Sequence, residues 1–407
     1  MKKNITLNYE KNVKLYSPFR VFTNLLIIGP ILVPFMIFKG LSYSQIMLLQ
    51  SISAISVFIF EIPTGTIGDK VSRKISLMLS GIFCIFGLLI YIMFSSFYLF
   101  AFAEIIFGIG MTFSSGADSA ILYESLVKLK RKKEYQKVEG NAAFYLFIGQ
   151  AIGSLISGFL YKHNPFFPFY ISIINLIIAV IVASLFKETE RKKSEHKYII
   201  HVFKSINITF KTPRILWTVL FAALMGFAFR TSFWLYQPYF SLVNIDVQWF
   251  GVIFFFFNIV AALSSKILLK KFYDTRPRKV LISLTFLLAA TFLLPIIFVF
   301  PAAIVILALQ QIVRGLYRPT LNFYINHQIK DEYRATVISL VSLSASLSFA
   351  ILSPFVGINL DKHGTVNTYF WMGVISLGGI IMLVLLRKYQ KLRKINKVEI
   401  KKMGDSI

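Results

Sequence analysis

Glu61-Ile62-Pro63-Thr64-Gly65-Thr66-Ile67-Gly68-Asp69-Lys70-Val71-Ser72-Arg73-Lys74 separates two apolar runs, Ser44 to Phe60 and Ile75 to Phe94. Each run is close to the roughly 20 residues that cross a bilayer core of about 30 Å as a helix. The stretch therefore reads as a very short charged connection between two membrane-spanning helices. Gly65 can let two backbones approach closely. Asp69 can accept hydrogen bonds from a helix N-terminus or an arginine. Arg73 and Lys74 favour the cytoplasmic side. Asp274-Thr275-Arg276-Pro277-Arg278-Lys279 repeats the spacing of Asp69, Arg73 and Lys74 at an offset of 205 residues in a chain of 407, with Lys270 in place of the leading glycine. Two similar halves follow, and a repeat of this kind fixes architecture before any local detail does.

Composition agrees. Apolar residues make up 56% of the chain, charged residues only 15%, and phenylalanine occurs 42 times, a balance that leaves too little charge for the surface of a soluble domain. The single cysteine, Cys84, rules out a disulfide framework. Twelve apolar spans are expected, at about 15–38, 44–66, 75–94, 97–123, 140–161, 166–186, 214–238, 248–269, 280–299, 302–327, 335–358 and 367–386. A net charge of +26 would suggest nucleic acid in a soluble protein, but here the basic residues alternate between the ends of the spans. Of the 44 Lys and Arg, 37 fall at one end: five through Arg20, three in loop 2–3, six in loop 4–5, eight from Lys187 to Arg214, five in loop 8–9, Lys330 with Arg334, and eight from Arg387 onward. Only Lys39, Lys162 and Lys362 fall at the other end. That asymmetry predicts both termini in the cytoplasm of a multi-pass protein of the cell membrane, with its basic face against anionic lipid.

The pattern Gly65, three residues, Asp69, basic, any, small, Arg73, Lys74 resembles the loop between helices 2 and 3 of the major facilitator superfamily, with Ser72 where that family has a second glycine. The resemblance implies an all-α membrane protein: twelve transmembrane helices in two six-helix bundles around a midplane cavity, working by alternating access. It divides the chain into a bundle at 1–186, a basic linker at 187–213, a second bundle at 214–386 and a basic tail at 387–407. Glu61, Pro63, Asp69, Arg73 and Lys74 together resemble a loop variant of a clostridial tetracycline-efflux branch. Gly140, Gly149 and Gly153 resemble the fifth-helix motif of drug–proton antiporters, with Ser154 in place of its proline and Ser157 in place of a further glycine; Gly158 continues the small face. A plain glycine packing face is the other reading. In span 4, Gly108 and Gly110 match a family pattern whose arginine position is here taken by Glu104.

Buried charges mark candidate sites in a membrane protein. Glu61, Glu104 and Asp118 are the candidate proton carriers. On a continuous helix Asp118 lies fourteen residues after Glu104, about 40° short of four full turns, and so on nearly the same face. Arg230, Arg314 and Arg318 are candidate cavity residues. The expected pairs are Glu104 with Arg230, and Asp118 or Glu61 with Arg318. Gly65, Asp69, Arg73, Lys74, Glu124, Asp274, Arg278 and Lys279 form the expected gating set, with Arg73 paired to Glu124 or Asp118. For Asp118 and Glu124 a purely structural role, locking helix ends together, stays open.

No phosphate loop, metal-spaced His/Cys cluster or nucleophile elbow occurs, so no enzyme, no cofactor and no ATP-driven pump is expected. The leading functional expectation is proton-coupled efflux of a small amphipathic organic compound by a monomer. The alternatives are proton-symport uptake of a small solute, or a sensor or scaffold that keeps the fold without transport.

Overall fold

The computed structural model describes the backbone of residues 2–25, 27–70, 72–188, 212–268, 275–328 and 331–404, with side chains throughout except at 2–8, 62, 66–70, 268, 328, 331–336 and 390–404. Every regular element among them is helical. The first half runs α1 (Lys2–Thr23), α2 (Leu32–Phe38), α3 (Tyr43–Lys70), α4 (Arg73–Met93), α5 (Phe97–Ser114), α6 (Ala117–Lys128), α7 (Tyr135–His163) and α8 (Phe167–Ser184). The second runs α9 (Pro213–Leu242), α10 (Phe250–Leu263), α11 (Pro277–Ile297), α12 (Ile304–Gln328) and α13 (Asp331–Gly404). Gly364 interrupts α13 at φ 76°, ψ −179°, a backbone open to glycine alone. Among the described residues nine helical segments are long and apolar enough to cross a membrane.

Two local features differ from the sequence expectation. The stretch 61–74 is mostly helix, because α3 continues through Lys70. The turn that follows is set by Ser72, whose hydroxyl accepts from the Ile75 N–H at 3.0 Å and caps α4. Serine serves here as an N-cap, where the motif would place glycine. Among the described atoms Gly65 has nothing within 4 Å of an added Cβ.

The chain falls into two compact units. The first comprises Met1–His196, Trp234–Ala262 and Ser353–Lys362. In it α5 packs between α3 and α4: Gly108 sits against the Ser56–Val57 backbone, and Gly110 against Ser80 and Cys84. A core of Phe35, Tyr91, Phe100 and Phe169 fills the end that carries Lys39 and Lys162, with Phe35 and Phe169 rings 4.0 Å apart. The second unit comprises Lys197–Phe233, Leu263–Leu352 and His363–Ile407. There α9 lies against α13, where Ser344 and Ser348 donate to the carbonyls of Val219 and Ala223. Gly226 approaches Ala345 too closely to admit a side chain. The linker expected at 187–213 falls largely at 189–211, outside the described residues.

Candidate functional site

Two helices of the first unit are broken, and the breaks line one cavity. Helix α1 stops at Thr23, where side chains take over its last carbonyls: the Thr23 hydroxyl donates to Phe19 O at 2.8 Å and the Asn24 amide to Arg20 O at 3.0 Å. Helical backbone resumes only at Gly29, in a short 3₁₀ turn with Pro30 at its start. Proline suits that place because its missing N–H would be unpaired there in any case. The freed groups are met by one distant side chain. Gln237 accepts from the Val33 N–H and donates to the Gly29 carbonyl, each at 2.8 Å. The second break lies between α5 and α6, where Gly116 takes φ +77°.

Asp118 stands in the first turn of α6, where the helix dipole favours a carboxylate. It accepts from the Ser119 N–H at 2.6 Å and forms an ion pair with Arg20 of α1. Arg20 also lies over the Tyr16 ring, and the Tyr16 hydroxyl donates to Glu139 of α7 at 2.5 Å. Two carboxylates and one guanidinium thus share a small region. Above them opens a cavity of about 510 Å³ lined by Asn24, Arg20, Asp118, Gln150, Ser172, Asn175 and Ser114 among apolar Phe19, Phe22, Phe107 and Met111. Its volume lies within the usual range for small-ligand sites. Among the described residues the Gln150 amide oxygen and Arg20 Nε are buried there without a hydrogen-bond partner.

Because span 4 is broken at Gly116, Asp118 and Glu104 do not share the face of one continuous helix. Glu104 is buried and takes hydrogen bonds from Tyr91, Gln50 and Ser53. Arg230 lies over the Phe349 ring at 5.3 Å. Asp118 pairs with Arg20, and Arg318 is exposed. Arg314 reaches Gln311 at 3.5 Å. Glu61 is exposed on α3. Arg73 pairs with Glu124 at 2.9 Å, and the Lys74 N–H donates to Glu188 at 3.2 Å. Arg278 stacks on Trp217, Lys279 is exposed, and Asp274 and the Asp69 side chain lie outside the described residues.

At the end that carries Lys162, parts of the second half meet the first within the same unit. Lys162 pairs with Asp246 at 2.6 Å. Asp361 accepts from the N–H groups of Tyr43 and Ser44 at 2.9 and 2.8 Å, capping α3. Ser51 and Ser353 share a buried hydrogen bond of 2.7 Å. The α7 glycines divide by depth: Gly140 has open space around it, Gly149 packs on Val21, Gly153 is buried, and Gly158 lies against the Gln248 carbonyl.

Broken helices around a cavity of mixed polar and apolar lining, in a chain with an internal repeat, suit a solute carrier. The sequence pattern of the Major Facilitator Superfamily matches residues 19–272 and 239–402. The chain belongs to that superfamily. It is 26% identical over 371 residues to YxaM, an uncharacterised MFS-type transporter of Bacillus subtilis (strain 168), across 89% of this chain and 92% of that protein. It shares its fold with the nucleoside transporter NupG (TM-score 0.72, 14% identity, 95% of this chain and 100% of that one). A D-xylose–proton symporter has the same fold (TM-score 0.66, 14% identity, 94% and 96%). Membership goes with transport of solutes across a membrane and not with catalysis.

Proposed function

We propose that this protein takes up a small polar solute together with protons, by alternating access across the cell membrane, with twelve spans in two six-helix bundles and both termini in the cytoplasm. The observation that carries the reading is the lining of the cavity between the broken helices. Asn24, Gln150, Asn175, Ser172 and Ser114 offer donors and acceptors suited to a hydroxylated or amide-bearing solute. A nucleoside transporter and a sugar–proton symporter on the same fold support it.

Asp118 and Glu139 serve in this reading as the proton site. Arg20 neutralises one of the two carboxylates, and a proton neutralises the other, so the cluster is charge-balanced only when loaded. Arginine itself stays charged throughout. The contacts around Lys162–Asp246, Asp361 and Ser51–Ser353 form the outer gate, and Arg73 with Glu124 belongs to the inner one. Efflux of an amphipathic compound is the second reading, favoured by the spacing of Gly140, Gly149 and Gly153.

Proteoliposomes screened with nucleosides, sugars and amides, with a pH-sensitive dye inside, test both. Under uptake, adding solute outside carries protons in with it; under efflux, solute and protons move in opposite directions. Asp118→Asn should abolish accumulation against a gradient and leave solute exchange running. Uphill transport at the parental rate in both Asp118→Asn and Glu139→Gln would remove these residues from coupling.

A further inference from the structure

Arg230 and Arg318 stand well inside their helices. Arg230 is twelve residues from the end of α9 and Arg318 is ten from the end of α12. Each therefore lies at least about 15 Å along its helix from the nearer end. Both side chains are nonetheless exposed. A charge exposed at that depth faces water held by protein, because a lipid-facing guanidinium there is costly. The two helices run side by side: the Trp217 and Tyr324 rings lie 5.4 Å apart, and the Phe221 and Tyr317 rings 6.3 Å. The two guanidinium groups are near enough to repel each other. Arg314, one turn before Arg318 on the same face, adds a third positive charge. Arg230 is braced over the Phe349 ring at 5.3 Å, which places the guanidinium without neutralising it.

The sequence of this unit supplies no counter-charge at that depth. Lys197–Phe233, Leu263–Leu352 and His363–Ile407 contain five acids, Asp274, Asp331, Glu332, Glu399 and Asp405. All five belong to the loops and tail at the end where α12 finishes, and none to a span. That end is about 15 Å along the helix from Arg318. In the first unit Asp118 pairs with Arg20 and Glu124 with Arg73, while Glu139 takes the Tyr16 hydroxyl and Glu104 the Tyr91 hydroxyl.

We infer that Arg230 and Arg318 bind an acidic group of the transported solute, a carboxylate or a phosphate. This rests on the reading that the protein carries a solute, and it names that solute's class: a small organic acid. A guanidinium fork matches two oxygens of either group and stays charged throughout the cycle. Coupling to protons follows the same logic. An inside-negative membrane potential opposes entry of an anion, and a proton carried with it cancels that charge.

The test uses the full-length protein, purified in a neutral detergent, with thermal unfolding followed by tryptophan fluorescence. Sodium succinate and sodium glycerol 3-phosphate are compared with sodium chloride at equal ionic strength, and with the uncharged succinamide and glycerol. A rise of at least about 3 °C is expected with one of the two acids and not with its uncharged counterpart. Succinate alone assigns the site to carboxylates, and glycerol 3-phosphate alone to phosphates. Arg318→Gln, at an exposed position, should remove most of the rise, and Arg230→Gln should do the same. In chloride, Arg318→Gln should unfold no lower than the parent, because it relieves repulsion between like charges. Were Glu61 or another acid of the chain the partner of Arg318, the variant would unfold lower in chloride and the response to acids would survive; that result overturns the assignment. So does a parent that responds to neither acid. Uncharged solutes that drive proton flux in proteoliposomes, with no response to either acid, would refute this inference and leave the uptake reading standing. Acid binding lost in both variants, with no solute-driven proton flux, would refute the uptake reading and leave the anion site standing.

Discussion

Gly251 opens α10's first turn, and an added Cβ there would lie 2.1 Å from the Ser154 carbonyl oxygen and 3.1 Å from the Gly158 nitrogen and the Leu155 carbonyl. All three neighbours are backbone, so no side chain can swing aside. Real contacts of this kind essentially never fall under 3.0 Å, so Gly251→Ala must part α7 and α10 by about 0.9 Å at this point. Overpacking of this kind costs about 1–3 kcal/mol, which moves the equilibrium between the closed and open outer end about 5- to 150-fold toward open. The measurement uses a Cys84→Ser background carrying Ser353→Cys, a position with no exposed surface in the closed contact with Ser51. Maleimide labelling of Cys at 353 should accelerate by that factor when Gly251→Ala is added. Gly140→Ala, on the same helix α7 with nothing within 4 Å of its added Cβ, should leave the rate unchanged. A Gly251→Ala rate within two-fold of the parent would refute the view that this glycine contact holds the end shut.

Gln237→Leu leaves the Val33 N–H and the Gly29 carbonyl without their partner, at about 1–3 kcal/mol for each stranded group, and thermal unfolding of the purified protein should drop by several degrees. Tyr16→Phe removes the phenol that donates to Glu139, so solute-driven proton flux should fall; an unchanged flux takes Glu139 out of the coupling site. A hydrogen bond from the Lys162 ammonium, and another from the Gln248 N–H, hold the Asp246 carboxyl below the usual carboxylate range. A depressed carboxyl contributes stability above its ordinary pKa and loses it as pH falls through the depressed value. The unfolding temperature should therefore be flat from pH 8 to about 5 and fall below about 4, and Asp246→Asn should flatten that acid limb.

The all-helical, multi-spanning character of the chain was legible because hydropathy and charge are properties of long windows, and a window of 20 residues averages over any single interruption. That averaging hid the two breaks. Ser114-Ser115-Gly116 carried a visible signal, since two small hydroxyl residues before a glycine favour a turn, yet the surrounding apolar run masked it. Arg20 lay inside the expected span 15–38 and was counted with the cytoplasmic charges, so its pairing with Asp118 was missed. Glu139 and Gln150 stood on a helix read for its glycines. Gln237 could not have been found from its neighbours, because its partners lie more than 200 residues earlier in the chain. The Arg73–Glu124 pair, by contrast, could be named in advance: a short loop fixes one partner and a helix end the other.

Gln237 also imposes an order on how the protein is made. The ribosome delivers residues 15–38 to the membrane as one apolar stretch, long before α9 exists. At that stage α2, seven residues and about 10 Å long, cannot cross the bilayer alone, and the Gly29 carbonyl and Val33 N–H have no partner in lipid. The first span must therefore enter as a continuous helix or wait beside a chaperone. Its break is satisfied by Gln237 only once that residue has been synthesised and inserted, so maturation of the first segment is tied to arrival of α9. Truncation before Trp234 leaves a nascent chain whose cavity cannot take its final shape.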